Sequence, residues 1–196
     1  MKNLNVNNQN GRSMIEMLGV LAIIGVLSVG GIAGYSKAMM KYRINKTIEQ
    51  ITLIAGNVRT FFAPQRSFYD IRTAAVRLNI IKKAKLIPDE MWNEDKTSMV
   101  NVWGYTFDLA GYKDDVSNEY TVFSTMFYGV PVEACIELST QDWTSLNLKS
   151  INIVAEGRDE DYRLTPPIDI AIAAEKCSTL GSPSGSVFMN FLFKGF

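Results

Sequence analysis

Glu16 is a single carboxylate at the edge of an uncharged run. From Met17 to Ser36 the chain carries no other charge over 20 residues. As a helix they span about 30 Å, at ~1.5 Å per residue, enough to cross one hydrocarbon core. A carboxylate forced to mid-bilayer costs roughly 2.5–3.5 kcal/mol, so one placed here calls for a partner. Gly11 stands five residues ahead of it, in Gly11-Arg12-Ser13-Met14-Ile15-Glu16. The other residues capable of distinctive chemistry are Cys135 and Cys177, the two cysteines of the chain. There is no histidine. Its absence removes the commonest general base, the Ser-His-Asp triad and most metal sites. Two cysteines without histidine make a poor zinc site, which wants four ligands. No metal site, cofactor or catalytic residue is expected.

The glycine, the glutamate and the apolar run agree in spacing with one known arrangement. The segment from Gly11 to about Ser28 resembles the leader and assembly helix of type IV prepilins. That resemblance implies cleavage between Gly11 and Arg12 by a prepilin peptidase, and methylation of the new amino terminus at Arg12. It gives Glu16 the role of the fifth mature residue, needed for filament assembly. The chain departs from the pattern at Arg12, where pilins usually carry an apolar residue. Two blander readings compete: an ordinary membrane anchor, or a secretory signal cleaved near Gly31-Ile32-Ala33-Gly34. Neither accounts for Glu16.

Charge raises a conflict over topology. Lys37, Lys41, Arg43 and Lys46 follow the apolar run, against Lys2 and Arg12 before it. Read simply, the positive-inside rule keeps the large domain in the cytoplasm, although long domains translocate regardless of that bias. The leader motif and the cysteines favour export. In a cytosolic protein two buried thiols would be the ordinary state. In an exported domain Cys135 and Cys177 are expected to form a disulfide. Overall, 20 basic residues balance 20 acidic ones. Nothing suggests a nucleic-acid surface.

The elements follow from periodicity and punctuation. No proline occurs from Met14 to Ala63. Beyond the uncharged run, Met40, Ile44, Ile48, Ile51, Ala55, Val58 and Phe62 recur at spacings of three and four, one helical stripe. One long helix therefore serves two environments. Gly30 and Gly34 form a small-xxx-small pair that lets helices approach closely. Glycine also weakens a helix by about 1 kcal/mol, which permits a melted turn there. Pro64 ends the helix. A second amphipathic helix is expected over 67–85, with Ile71, Ala75, Leu78 and Ile81 on one face. Strands are expected at 105–109, 120–128, 149–155 and 186–193. Pro131 opens a short helix bearing Cys135, and another runs from Ile168 to about Lys176. The fold class is α+β: a long N-terminal helix packed on a mainly antiparallel sheet. Four segments are expected: a leader at 1–11, an apolar membrane and assembly helix at 12–36, its amphipathic second half at 37–63, and a head domain at 64–196.

Short matches in the second half extend the resemblance to type IVb pilins of the conjugative and enteric kind. They are Leu86-Ile-Pro-Asp, Asn101-Val-Trp-Gly104, Val130 to Ile136 with Asp142-Trp143, and a late cysteine before the last strand. The resemblance implies a pilin fold and a disulfide-bounded loop region displayed on a filament. It also implies a structural protein and not an enzyme. The implied partners are copies of itself, a prepilin peptidase, an assembly ATPase and an inner-membrane platform. The precursor would sit in the inner membrane with its head in the periplasm, and the assembled pilus outside the cell. A minor pilin or a secretion pseudopilin is the nearest alternative; a membrane-anchored enzyme or binding domain is more remote. Trp92, Trp103 and Trp143 read as core or loop anchors. The acidic stretches Lys113–Glu119 and Gly157–Asp161 match no EF-hand pattern and read as solvated loops.

Overall fold

The computed structural model describes residues 14–155, 160–181 and 185–196. The chain divides into two units, one ending at Lys41 and the other spanning Tyr42–Phe196. Gly11 and Arg12 lie outside the described residues, as does most of the second acidic stretch.

A single helix, α1, runs Met14–Phe62 without interruption at Gly30, Gly31 or Gly34. It stops where Gln65 and Arg66 both donate backbone N–H groups to the Phe62 carbonyl. Arg66 takes a left-handed φ of 50° there, and Pro64 bars continuation. In the second unit the buried face of α1 is Ile44, Thr47, Gln50, Ile51, Ile54, Ala55, Val58 and Phe62. The expected stripe is present but slightly rotated: Thr47 is buried and Ile48 half-buried. Thr47 can occupy a core position because its hydroxyl donates to the Arg43 carbonyl at 2.9 Å.

The expected helix over 67–85 is shorter than its periodicity suggested. A 3-10 turn covers Tyr69–Ile71, and α2 begins only at Ala74, running to Lys83. Phe68 is the reason. Its fully buried ring packs edge-to-face on Phe62 and Phe123, at 5.5 and 5.1 Å between centroids. Two glycines make room for it. A Cβ on Gly195 would lie 2.2 Å from its ring, and one on Gly111 would lie 2.1 Å from its carbonyl oxygen.

Five strands form one antiparallel sheet in the order β1-β2-β5-β3-β4. Their bounds are β1 Phe107–Tyr112, β2 Val122–Pro131, β3 Leu148–Ala155, β4 Asp161–Leu164 and β5 Ser186–Lys194. Between strands lie α3, Val132–Thr140, and α4, Ile170–Leu180. Along β5, Val187, Met189, Phe191 and Phe193 are buried while the residues between them are half-buried. That alternation marks a sheet with one packed face. Phe123 stacks with Phe193, and Phe191 meets Trp143 at 5.6 Å. Trp143 is buried and donates its indole N–H to the Leu138 carbonyl. Trp103 is buried as well.

Asn101 shows what the Asn101–Gly104 motif does. Its amide donates to the Thr106 and Tyr128 carbonyls, and its oxygen accepts from the N–H groups of Trp103 and Tyr105. All four bonds of a buried side chain are satisfied, so the loop before β1 is locked onto β2.

The first acidic stretch is not simply solvated. Asp114 pairs with Lys149 on β3 at 2.9 Å, and Asp115 reaches both Lys149 and Arg163 on β4. Asp114 also accepts from Val116 N–H. The Lys149 ammonium, with that backbone bond, holds the Asp114 carboxyl down at about 2, and the same pairing raises Lys149. A depressed carboxyl stabilises the fold above its unfolded value and stops doing so as pH falls through its folded value. Head stability should therefore decline between pH 3.8 and about 2. Asp114→Asn should lower the melting temperature at pH 7 and flatten that decline. Thermal unfolding followed against pH in the two proteins checks this.

Candidate functional site

Among the described residues, the first part of α1 has no buried side chain up to Ala38. Its most apolar window has a mean hydropathy of 2.2 and no buried residue. Leu18, Leu21, Ile24, Val29 and Ile32 are all exposed, Val29 to 72%. Each such side chain would gain about 1.5–3 kcal/mol on full burial. This surface is also unbroken round the helix, unlike the one-sided stripe from Ile44 onward. By length and composition the helix can cross a membrane.

Glu16 stands in the first turn of α1 and is exposed. A carboxylate there meets the unpaired N–H groups of the helix start, a favourable position for negative charge. It is the sole charged side chain from Met14 to Ser36. Gly30, Gly31 and Gly34 meet no atom within 4 Å of where a Cβ would stand. No described residue requires them to be small.

Cys135 on α3 and Cys177 on α4 are joined by a disulfide, with Cα atoms 5.9 Å apart. Both cysteines are fully buried. Cys177 was expected just past the end of its helix, but α4 continues to Leu180. It begins at an Asp169 cap that accepts from Ala171 and Ile172 N–H groups at 2.7 and 3.1 Å. The bond therefore ties two helices across a sequence separation of 42.

A groove of ≈ 430 Å³ runs between Trp143, Leu148 and Pro167. Its one titratable side chain, Asp142, accepts from the Thr144 hydroxyl and N–H, which lower its pKa. That is a turn-holding carboxylate rather than a poised acid. Asp108 pairs with Arg77 of α2, yet burial raises its pKa. Among the described residues no group of three acidic, Cys or His side chains could hold a metal ion.

The chain thus joins an exposed apolar helix to a disulfide-braced α+β head. A family model described as Bundlin matches residues 37–194. The protein belongs to the Bundlin family and is a type IVb pilin subunit. Among solved structures it is similar to a type IVb pilin from Salmonella typhi, at 16% identity and a TM-score of 0.47. That match covers 73% of this chain and 96% of the other. No curated protein sequence matches significantly.

The disulfide closes a loop whose chain-entropy contribution is about 4 kcal/mol. Replacing both cysteines by serine should lower unfolding free energy by roughly 2–4 kcal/mol. Denaturant titration of the purified protein measures this, and non-reducing peptide mapping establishes the bond.

Proposed function

We propose that the chain is made as a prepilin and becomes a pilus subunit through its amino-terminal helix. Removal of residues 1–11 leaves Arg12 as the first residue, at the cytoplasmic edge of the membrane. The apolar segment 12–36 holds the subunit in the inner membrane, its head in the periplasm. On assembly the same surface exchanges lipid for the helices of neighbouring copies. A repeated contact of this kind is heterologous and does not close, so it yields a fibre. A prepilin peptidase, an assembly ATPase and an inner-membrane platform are the partners such a route needs. Adhesion, conjugation or motility would be the work of the finished filament.

One observation carries this reading: the exposed, uncharged half of α1 with Glu16 at its start. In a filament, a neighbour's amino terminus brings an ammonium beside Glu16. Away from water such a pair attracts strongly, and truncating one partner costs of order 3–5 kcal/mol. A subunit inserted in register neutralises both charges, so the pair checks register.

The mature chain should begin at Arg12. Intact-mass analysis of the membrane-bound protein decides this, and a start near Tyr35 would mean an ordinary signal peptide. Glu16→Ala should leave a membrane-inserted, disulfide-bonded subunit while reducing filaments to few or none. Sheared filament yield is compared with membrane-bound subunit. Normal yield removes Glu16 from assembly, and loss of the subunit makes its role one of stability.

A further inference from the structure

Gln50 is 3% exposed, yet its carbonyl oxygen Oε1 has no hydrogen-bond partner among the described residues. A buried acceptor left unpaired costs stability unless something outside the chain satisfies it. Its amide is oriented by a bond. Nε2 donates to Oε1 of Glu90 at 3.2 Å, which turns the carbonyl away from that carboxylate. Gln50 lines a hollow of ≈ 210 Å³ together with Tyr42, Lys46, Glu90, Asn101 and Val102.

The groups around this hollow come in two kinds. Tyr42, Lys46 and Gln50 recur every four residues, so they share one face of α1. Glu90 reaches them from the 3-10 turn Asp89–Met91. Its Oε1 accepts from Gln50 and from the Lys46 ammonium, the latter at 2.9 Å, and its Oε2 has no described partner. Lys46 also meets Glu49 at 3.2 Å, which leaves one of its three N–H groups. Tyr42 is 58% exposed, and its hydroxyl has no described partner. The hollow thus holds two unused acceptors, Gln50 Oε1 and Glu90 Oε2. Beside them are two unused donors, on Lys46 and Tyr42. A simple anion would meet the charge of Glu90, and a simple cation that of Lys46. A ligand with an ammonium close to an anionic oxygen satisfies both kinds.

Tyr42 follows Ser36, the last residue of the uncharged run, by six residues. That is about 9 Å of helix, against a headgroup layer of roughly 5–8 Å on each side of a bilayer. Tyrosine and lysine at such a position reach back with their polar ends among the headgroups. We propose that the hollow binds a phospholipid headgroup with a primary ammonium beside its phosphate, as in phosphatidylethanolamine. Glu90 Oε2 and Gln50 Oε1 accept from the ammonium, while Lys46 and Tyr42 donate to the phosphate. This rests on the membrane reading above and names the lipid. A choline headgroup has no N–H to give Gln50, and a glycerol headgroup has no cation to offset Glu90. The site adds a polar hold to the apolar one, and withdrawal from the membrane has to break it.

Native mass spectrometry tests the site. The full-length chain is reconstituted in nanodiscs of equal phosphatidylethanolamine, phosphatidylcholine and phosphatidylglycerol, and the lipid released with it is identified. Phosphatidylethanolamine should be enriched by about fivefold or more, the worth of one charge-assisted hydrogen bond. Gln50→Met removes the orphaned carbonyl, and Tyr42→Phe removes only an exposed hydroxyl. Each should cut the enrichment by about threefold or more, with melting temperature and disulfide unchanged. Equal retention of the three lipids overturns the proposal. So does phosphatidylglycerol enriched as strongly, which would mean attraction of phosphate to lysine alone. Enrichment that survives both substitutions overturns this site. A chain that enters no nanodisc defeats the membrane reading and the site with it, whereas insertion without lipid preference defeats the site alone.

Discussion

Burial of α1 is the constraint on which the rest depends. A single uninterrupted helix must satisfy two different surroundings. From Ile44 to Phe62 it has a narrow apolar stripe, and that stripe is covered by the protein's own core. From Met17 to Tyr35 it is apolar on all sides, and the described residues supply no cover. Water is an unfavourable solvent for that segment, since every exposed aliphatic side chain forgoes hydrophobic stabilisation. On the proposed route, lipid and other copies of the helix are its two environments. A protein built so can pass from one to the other with little change in solvation free energy, because both are hydrocarbon-like.

The head is correspondingly self-sufficient. Its core interlocks aromatic rings from α1, the loop after it and the sheet, through Phe62, Phe68, Phe123 and Phe193. Arg59, near the end of α1, donates to the Leu146 and Lys194 carbonyls and lies over the Phe123 ring. Burial lowers its pKa, but its hydrogen bonds reach the loop before β3 and the end of β5. The second half of α1 is therefore anchored to distant parts of the chain. The Asp114–Lys149 pair closes a loop over the sheet, and the disulfide closes α3 on α4. Local fastenings of this kind suit a domain whose helix is shared with a larger assembly.

Much of this was legible from residue types and spacing, and the exceptions have physical causes. The extent of α1 followed from a proline-free, periodic stretch, and β3 and β5 from alternating apolar residues. β4 escaped notice because Asp161-Tyr-Arg-Leu164 is a four-residue edge strand with one buried side chain. Its pairing with β3 comes from backbone bonds, which leave no periodic trace. α2 looked longer because Ile71 is in helical spacing with Ala75, Leu78 and Ile81, yet the core takes the Phe68 ring ahead of it. β1 and β2 each run further than expected, through Gly111 and through the bulge at Gly129, positions where propensity argues against a strand. Of the candidate site, Glu16 and the apolar helix were visible at once, because charge and hydropathy are local properties. The exposure of Phe61 and Ile170 was not. Exposure of an apolar side chain is decided by tertiary packing alone.

The central claim is that the exposed half of α1 is buried by its counterparts in a filament. An electron cryomicroscopy reconstruction of filaments sheared from cells tests it most directly. The account predicts density for residues from Met14 to Tyr35 at the filament axis, packed on equivalent helices of neighbouring copies. A filament core built from another chain, with this protein's apolar segment still in the membrane, would contradict it.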